Sequence, residues 1–301
     1  MKILITGANG FLGSHLTKHL LDRRHEICAM SLHTNRLNSV LNDIKFIPCS
    51  MDNIIYMKKE ICEFGPHVVI HCAWHGGNCY ASAQSPQQFR ENMPGLVNLM
   101  EILKNIGTPK FIGIGSGAEY GNNQDVNLES TPDAPISLYG ACKVMAKIYT
   151  ETFCNINNIT WNWIRPIYTY GPDDVQTRLI PSVILKSIRG NEVLLDECKS
   201  IVDYLYISDF VNGVECILNH NINGVFNICS SNAYSIREII EKIGNLTNNT
   251  ENIKFGVIPE RNEVTMKILG SNENMKLYMG WTPTVSITEG LTKTIEFYKK
   301  S

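Results

Sequence analysis

Clustered positive charge is missing from this chain of 301 residues, in which 27 basic and 29 acidic side chains leave a formal net charge of -2 at pH 7. Binding to a phosphate backbone normally shows as a basic patch or stripe, so a dedicated nucleic-acid surface is excluded. No Cys-x-x-Cys pair occurs among the ten cysteines. They are scattered through strand-like and helix-like segments (Cys28, Cys72, Cys142, Cys216, Cys229), and a chain of this length does not need disulfide staples, so reduced thiols are expected. Nor do the histidines form a ligand set. His15/His19 and His71/His75 each stand one helical turn apart, but no carboxylate motif accompanies either pair, so helix-surface or strand-end residues are expected and no metal. No apolar run reaches bilayer length. Met1-Lys2-Ile3-Leu4-Ile5 passes straight into a glycine-rich turn without a charged leader or cleavage site, so a cytoplasmic protein is expected, neither exported nor membrane-bound. Repeats and low-complexity linkers are absent too.

What is present is ample core material: 44% of the residues are hydrophobic and 19% charged. That predicts one large domain carrying a smaller lobe. The first half alternates short apolar runs with amphipathic stretches, the pattern of a parallel sheet covered by helices on both faces. Strands are predicted at Lys2–Thr6, Glu26–Ser31, Ile44–Ile47, His67–Cys72, Pro109–Gly115 and Thr160–Arg165. Helices are predicted near Phe11–Leu21, Asn53–Glu63, Pro86–Ile106 and Ser137–Ile156, where apolar residues recur at spacings of three and four. This is a doubly wound α/β (Rossmann) architecture, assigned to residues 1–171. After Gly171-Pro172 the elements shorten: helices near Leu179–Arg189, Ser208–Leu218 and Ser235–Leu246, and strand pieces around Val193–Leu195 and Tyr204–Tyr206. Residues 172–301 are therefore expected to form a mixed α/β substrate lobe, with the chain crossing back to the first domain.

Thr6-Gly7-Ala8-Asn9-Gly10-Phe11-Leu12-Gly13 follows the first strand and opens the first helix. Gly7, Gly10 and Gly13 fall where a tight turn and close backbone approach to a pyrophosphate are needed. A glycine triplet alone is weak evidence; the strand before it and the helix after it make a dinucleotide site. The spacing is GxxGxxG rather than GxGxxG. At the end of the second strand, where a carboxylate would hold the ribose hydroxyls of NAD, Ser31 stands instead, with Arg36 in the loop beyond. A hydroxyl and a guanidinium with no acid suit a 2′-phosphate, which favours NADP(H) over NAD(H). The blander alternative for Arg36 is a solvated loop cation.

Tyr139-Gly140-Ala141-Cys142-Lys143 sets a phenol and an ammonium four residues apart on one helix face. A free tyrosine, with a pKa of about 10, is a poor base at neutral pH; a nearby cation lowers that value and makes an acid/base group. YxxxK by itself usually marks a surface pair. Here its weight comes from position, just after the loop of the fifth strand in a chain with a dinucleotide fingerprint. That strand ends in Ser116, whose hydroxyl could donate to an oxygen exchanging a proton with Tyr139. A serine that merely caps the strand end would be preferred if Tyr139 and Lys143 were absent.

Together with Arg165-Pro166-Ile167-Tyr168-Thr169-Tyr170-Gly171-Pro172, these residues resemble the extended short-chain dehydrogenase/reductases of the nucleotide-sugar epimerase/dehydratase type, over nearly the whole chain. Asp52 is similar to the family aspartate near the adenine, His71-Cys72-Ala73-Trp74 to the run beside the cofactor, and Asn92 to the asparagine on the following helix. Val202–Asp209 and Arg261-Asn262-Glu263 resemble segments around the nucleotide diphosphate, and Gly280-Trp281-Thr282-Pro283 the C-terminal signature. The resemblance implies catalysis by Ser116, Tyr139 and Lys143. It implies cofactor contacts from the glycine loop with Asn9, Phe11 and Leu12, and from Ser31, Arg36, Asp52, Cys72, Ala73, Trp74, Asn92, Tyr139, Lys143 and Pro166. Substrate contacts are implied for Trp74, His75, Ser116, Gly117, Ala118, Tyr139, Tyr168, Arg178, Leu179 and Arg261. It further implies a homodimer through the helices at Pro86–Ile106 and Ser137–Ile156.

The residues after Ser116 narrow the chemistry. In 4,6-dehydratases the next two are acids, whereas here they are Gly117 and Ala118, and in GDP-fucose synthase the second is an epimerising cysteine. What remains is hydride and proton exchange at one carbon. Two outcomes fit: NADPH-dependent reduction of a nucleotide-diphospho-4-keto-6-deoxyhexose, favoured by Ser31, or 4-epimerisation with a retained NAD. A third, of a different class, is a non-catalytic NADP(H)-binding regulator. Two family positions depart: the arginine before the Asp-Tyr is Val202, and the asparagine after Arg-Pro-x is Tyr168. The diphosphate charge then falls to Arg261, with Arg178 or Lys186 as further candidates.

Overall fold

The computed structural model describes residues 1–76, 80–259 and 267–300. Among these, seven strands make one parallel sheet: β1 (Lys2–Thr6), β2 (Glu26–Ser31), β3 (Lys45–Pro48), β4 (Val68–His71), β5 (Lys110–Ile114), β6 (Thr160–Pro166) and β7 (Gly224–Ile228). Their order is β7-β6-β5-β4-β1-β2-β3, so the winding direction reverses between β1 and β4, and the crevice at that switch point is where doubly wound sheets hold ligands. The four residues of β4 and the five of β5 are all buried, as strands covered on both faces must be.

The helices that matter for the site are α1 (Phe11–Asp22), α2 (Lys58–Phe64), α3 (Gln87–Ile106) and α4 (Leu138–Ile156). Strands β1 and β2 have the limits expected from the sequence, and the other predicted strands and helices differ by a residue or so at their ends. Of the larger differences, two concern the main sheet and its cover. The helix expected over residues 53–63 is a 3-10 turn, Met51–Met57, running into the short α2. β-Branched Ile54 and Ile55 with Asn53 favour the helix weakly, and the turn lies against α3 so closely that a Cβ on Gly95 would come within 2.5 Å of the Met51 carbonyl. The second is β7, a strand absent from the sequence reading, which returns the chain to the main sheet beside β6. The later segments also build a four-stranded sheet in which Ile201–Val202 and Lys267–Gly270 are parallel neighbours. Among the described residues no helix is long and apolar enough to cross a membrane.

Candidate functional site

The glycine loop is shaped by close approach. A Cβ on Gly13 would lie 2.2 Å from the Gly7 carbonyl oxygen, and one on Gly7, at φ +66°, would lie 2.6 Å from the Ala73 backbone. The first turn of α1 therefore packs directly on the β1 turn, and that turn on the loop after β4. Gly10 is the N-cap of α1, no side chain caps it and no acid stands in the first turn. A helix N-terminus with unsatisfied amides and a bare backbone cradle fits a pyrophosphate. Phe11 is buried, and its ring meets His15 edge-on at 5.4 Å.

At the β2 end, Ser31 is half-buried and its carbonyl accepts from the Cys49 amide at 3.1 Å. Arg36 lies in a 3-10 helix, Asn35–Asp43, that the sequence did not reveal. Its amide donates to the Asn9 side chain at 2.8 Å and its Nη1 to the Asn9 carbonyl at 3.3 Å. So Arg36 is tied to the glycine loop, not loose in solvent. Asp52 is exposed in the first turn after β3.

The loop after β4 is gripped by α3. Asn92, buried, accepts from the His75 amide at 2.7 Å and donates to the Gln88 carbonyl at 2.7 Å. Gln88, also buried, accepts from Trp74 Nε1 at 2.8 Å. That fixes the indole edge-on to Tyr139, with ring centroids 6.2 Å apart, and over Lys143, whose Nζ is 3.7 Å from the indole centroid. Beneath it, Thr6 Oγ1 bonds His71 Nδ1 at 2.8 Å, and burial holds His71 down at about 3. Burial likewise pushes the Cys72 thiol up to about 12, against the opposing pull of Lys143.

Ser116 begins a 3-10 turn, Gly117–Tyr120, as a capping box: its Oγ accepts from the Ala118 amide at 3.1 Å, and Glu119 accepts from the Ser116 amide at 2.8 Å. The same hydroxyl is near enough to the Tyr139 phenol to favour its ionised form, so it caps the turn and stands beside the phenol at once. Tyr139 reaches it because α4 starts hard against this turn. Ser137 caps α4 by accepting from the Gly140 amide at 3.1 Å, and a Cβ on Gly140 would lie 2.5 Å from the Ala118 carbonyl. Lys143, buried one turn on, donates to the Ile114 carbonyl of β5 at 2.7 Å.

The electrostatics differ from the expectation of a Tyr139 acidified by Lys143. Burial raises the phenol above its ordinary value; the Ser116 hydroxyl and Arg178 oppose it, and Glu119 adds to it. Burial also lowers Lys143, with Glu119 and Cys72 acting the other way. The ammonium is aimed at a β5 carbonyl and the Trp74 face, so desolvation dominates both groups.

Sequence reasoning missed Glu119. Its carboxylate is fully buried, accepts from Arg165 Nε at 2.7 Å and from Trp163 Nε1 at 2.9 Å, and so anchors the Ser116 turn to β6. Arg165 also pairs with Asp133. A glutamate immediately after Ala118 reads as an ordinary turn acid until β6 is placed beside β5.

Tyr168, 38% exposed, stacks at a tilt on Tyr204 with centroids 5.2 Å apart. Arg178 acts electrostatically on Tyr139, Tyr168 and Tyr204 alike, so it belongs with them, and its Nη1 pairs with Asp174 at 3.2 Å. Tyr204 was expected only as part of the Val202–Asp209 segment, not as a contact residue of its own. Leu179, half-buried, opens the helix that Arg178 caps, whereas Lys186 is exposed at its far end. Val202 is buried and Pro166 ends β6. Arg261, Asn262 and Glu263 lie outside the described residues. The other histidine spacings resolve into pairs: His15 with the Pro172 carbonyl, His19 with Glu215 and His75 with Glu91.

A parallel doubly wound sheet with a glycine-lined helix N-terminus and a Ser-Tyr-Lys set at its crevice defines a Rossmann dinucleotide enzyme of the extended short-chain dehydrogenase/reductase type. Residues 3–229 match the NAD dependent epimerase/dehydratase family, and the chain belongs to that family. It is 27% identical over 312 residues to a UDP-glucose 4-epimerase of Mycolicibacterium smegmatis, covering 99% of both proteins. It is 25% identical over 317 residues to UDP-glucuronic acid decarboxylase 1 of Danio rerio, covering 99% of this chain and 73% of that protein. The structure of a UDP-glucose 4-epimerase of Thermotoga maritima with UDP-glucose superposes with a TM-score of 0.93 at 25% identity, covering 100% of this chain and 99% of that one.

Proposed function

We propose that this protein is an NADP(H)-dependent reductase acting on the C4 keto group of a nucleotide-diphospho-4-keto-6-deoxyhexose. The observation that carries the reading is the Tyr139 phenol, set beside the Ser116 hydroxyl and held one helical turn from Lys143. A phenol whose pKa burial raises keeps its proton at neutral pH, which suits a donor to an oxygen that gains charge during reduction. Ser116 steadies the same oxygen, and Lys143 and Trp74 fix the phenol's surroundings. The bound dinucleotide supplies the hydride; the glycine loop, Asn9, Phe11, Leu12, Cys72, Ala73, Asn92 and Pro166 are assigned to hold it. Gly117 and Ala118 offer no acid for dehydration.

Arg36 on the glycine loop, with Ser31 in place of a ribose carboxylate, favours NADP(H) and a cofactor exchanged at each turnover. Residues 172–301 are assigned the sugar nucleotide, with Tyr168, Tyr204, Arg178 and Leu179 opposite Tyr139 and Arg261 on the diphosphate. A 4-epimerase with retained NAD is the second reading, and the likeness to UDP-glucose 4-epimerases speaks for it. The nucleotide released from the purified protein on denaturation separates the two. A reductase yields little bound nucleotide and a site that fills with NADPH; stoichiometric NAD would overturn the NADP(H) assignment.

A further inference from the structure

Arg36 is held from one side by an acid. Its Nε lies 3.1 Å from the Asp173 carboxylate and donates to the Asp173 carbonyl at 3.1 Å. The turn that bears Asp173 is itself fastened at both neighbours: the Pro172 carbonyl meets His15 Nε2 at 2.9 Å, and the Asp174 carbonyl accepts from the Tyr298 hydroxyl at 3.1 Å. Asp173 sits at φ +62°, a conformation that asparagine and aspartate tolerate better than other side chains. The backbone that bears the carboxylate is therefore held beside the guanidinium.

Stability does not explain the pair. Its side chains are 26% and 40% exposed, and ion pairs so placed contribute little. Nor is the carboxylate needed to aim the arginine, because the Asp173 and Asn9 carbonyls already hold Nε and Nη1. What the carboxylate adds is negative charge beside the one cation tied to the glycine loop among the described residues.

We propose that Asp173 is a specificity-determining residue for the cofactor. Its charge opposes the 2′-phosphate that Arg36 receives, so NADP(H) is selected by the arginine yet held weakly enough to leave after each turnover. This rests on the NADP(H) reading above. The repulsion between one carboxylate and a phosphate several ångströms away, in a half-solvated setting, corresponds to about five- to tenfold in affinity.

The test is titration of the purified full chain with NADPH and with NADH, followed by nucleotide fluorescence, for the wild type, Asp173→Asn and Arg36→Gln. Asparagine keeps the backbone conformation and the carbonyl that holds Arg36. Asp173→Asn is expected to tighten NADPH by about five- to tenfold at low salt, to leave NADH within about twofold, and to lose its gain as salt rises. A preference for NADPH over NADH that does not move in Asp173→Asn, while Arg36→Gln abolishes it, overturns the inference alone. A preference that Arg36→Gln leaves unchanged overturns the NADP(H) reading beneath it.

Discussion

Burial does most of the electrostatic work around the candidate site. His71 ends β4 directly under the glycine loop, bonded to Thr6, and its imidazole is kept neutral down to about 3. In the unfolded chain it titrates near 6.5. Above that pH neither state binds the extra proton; below it the unfolded state takes one that the native state refuses. Stability is therefore full above about 6.5 and falls toward pH 3 at up to about 1.4 kcal/mol per pH unit from this residue alone. His71→Gln should flatten that acid dependence in urea titrations run between pH 6.5 and 4, and an unaltered slope would show that His71 is not the titrating group. Glu119 is the opposite case: a carboxylate kept buried because Arg165, Trp163 and the Ser116 amide all donate to it.

Helices α3 and α4 pack together and turn apolar side chains outward. Phe89 and Val97 on α3 are 49% and 36% exposed, and Ile148 and Ile156 on α4 are 54% and 73% exposed. Exposed apolar side chains of this kind are what a second copy covers. The proposed homodimer uses this face, and Ile148→Arg is expected to give a folded monomer at micromolar concentration by light scattering, where the parent chain gives a dimer. A parent chain that is already monomeric would refute the interface. The two helices were legible because each carries a long repeat of apolar residues, and β1, β2, β4 and β5 because their apolar runs are unbroken and bounded by turns. Strand β7 was not, since its five residues include Asn227 and its partner β6 lies some 60 positions earlier in the chain. Glu119 and Asp173 were hidden for the same reason. Each acquires its partner, Arg165 or Arg36, only when distant segments are brought side by side.

Across the whole molecule, the crevice at the β1/β4 switch point has the glycine loop and Arg36 at one end and Ser116, Tyr139 and Lys143 at the other. Arg178 acts electrostatically on the phenol and on Tyr168 and Tyr204 alike. In a reductase the dinucleotide held by the glycine loop would supply the hydride while Tyr139 supplies the proton. That is tested most directly with NADPH carrying deuterium at the transferable nicotinamide position. The protein is incubated with 4-keto-6-deoxyhexoses on different nucleotide diphosphates, and the products are read by NMR. One sugar nucleotide should gain a single deuterium at C4, and Tyr139→Phe should still bind NADPH yet lower that transfer by about a hundredfold to ten-thousandfold. Absence of deuterium at C4 in every sugar offered, or transfer at the native rate by Tyr139→Phe, would contradict the assignment.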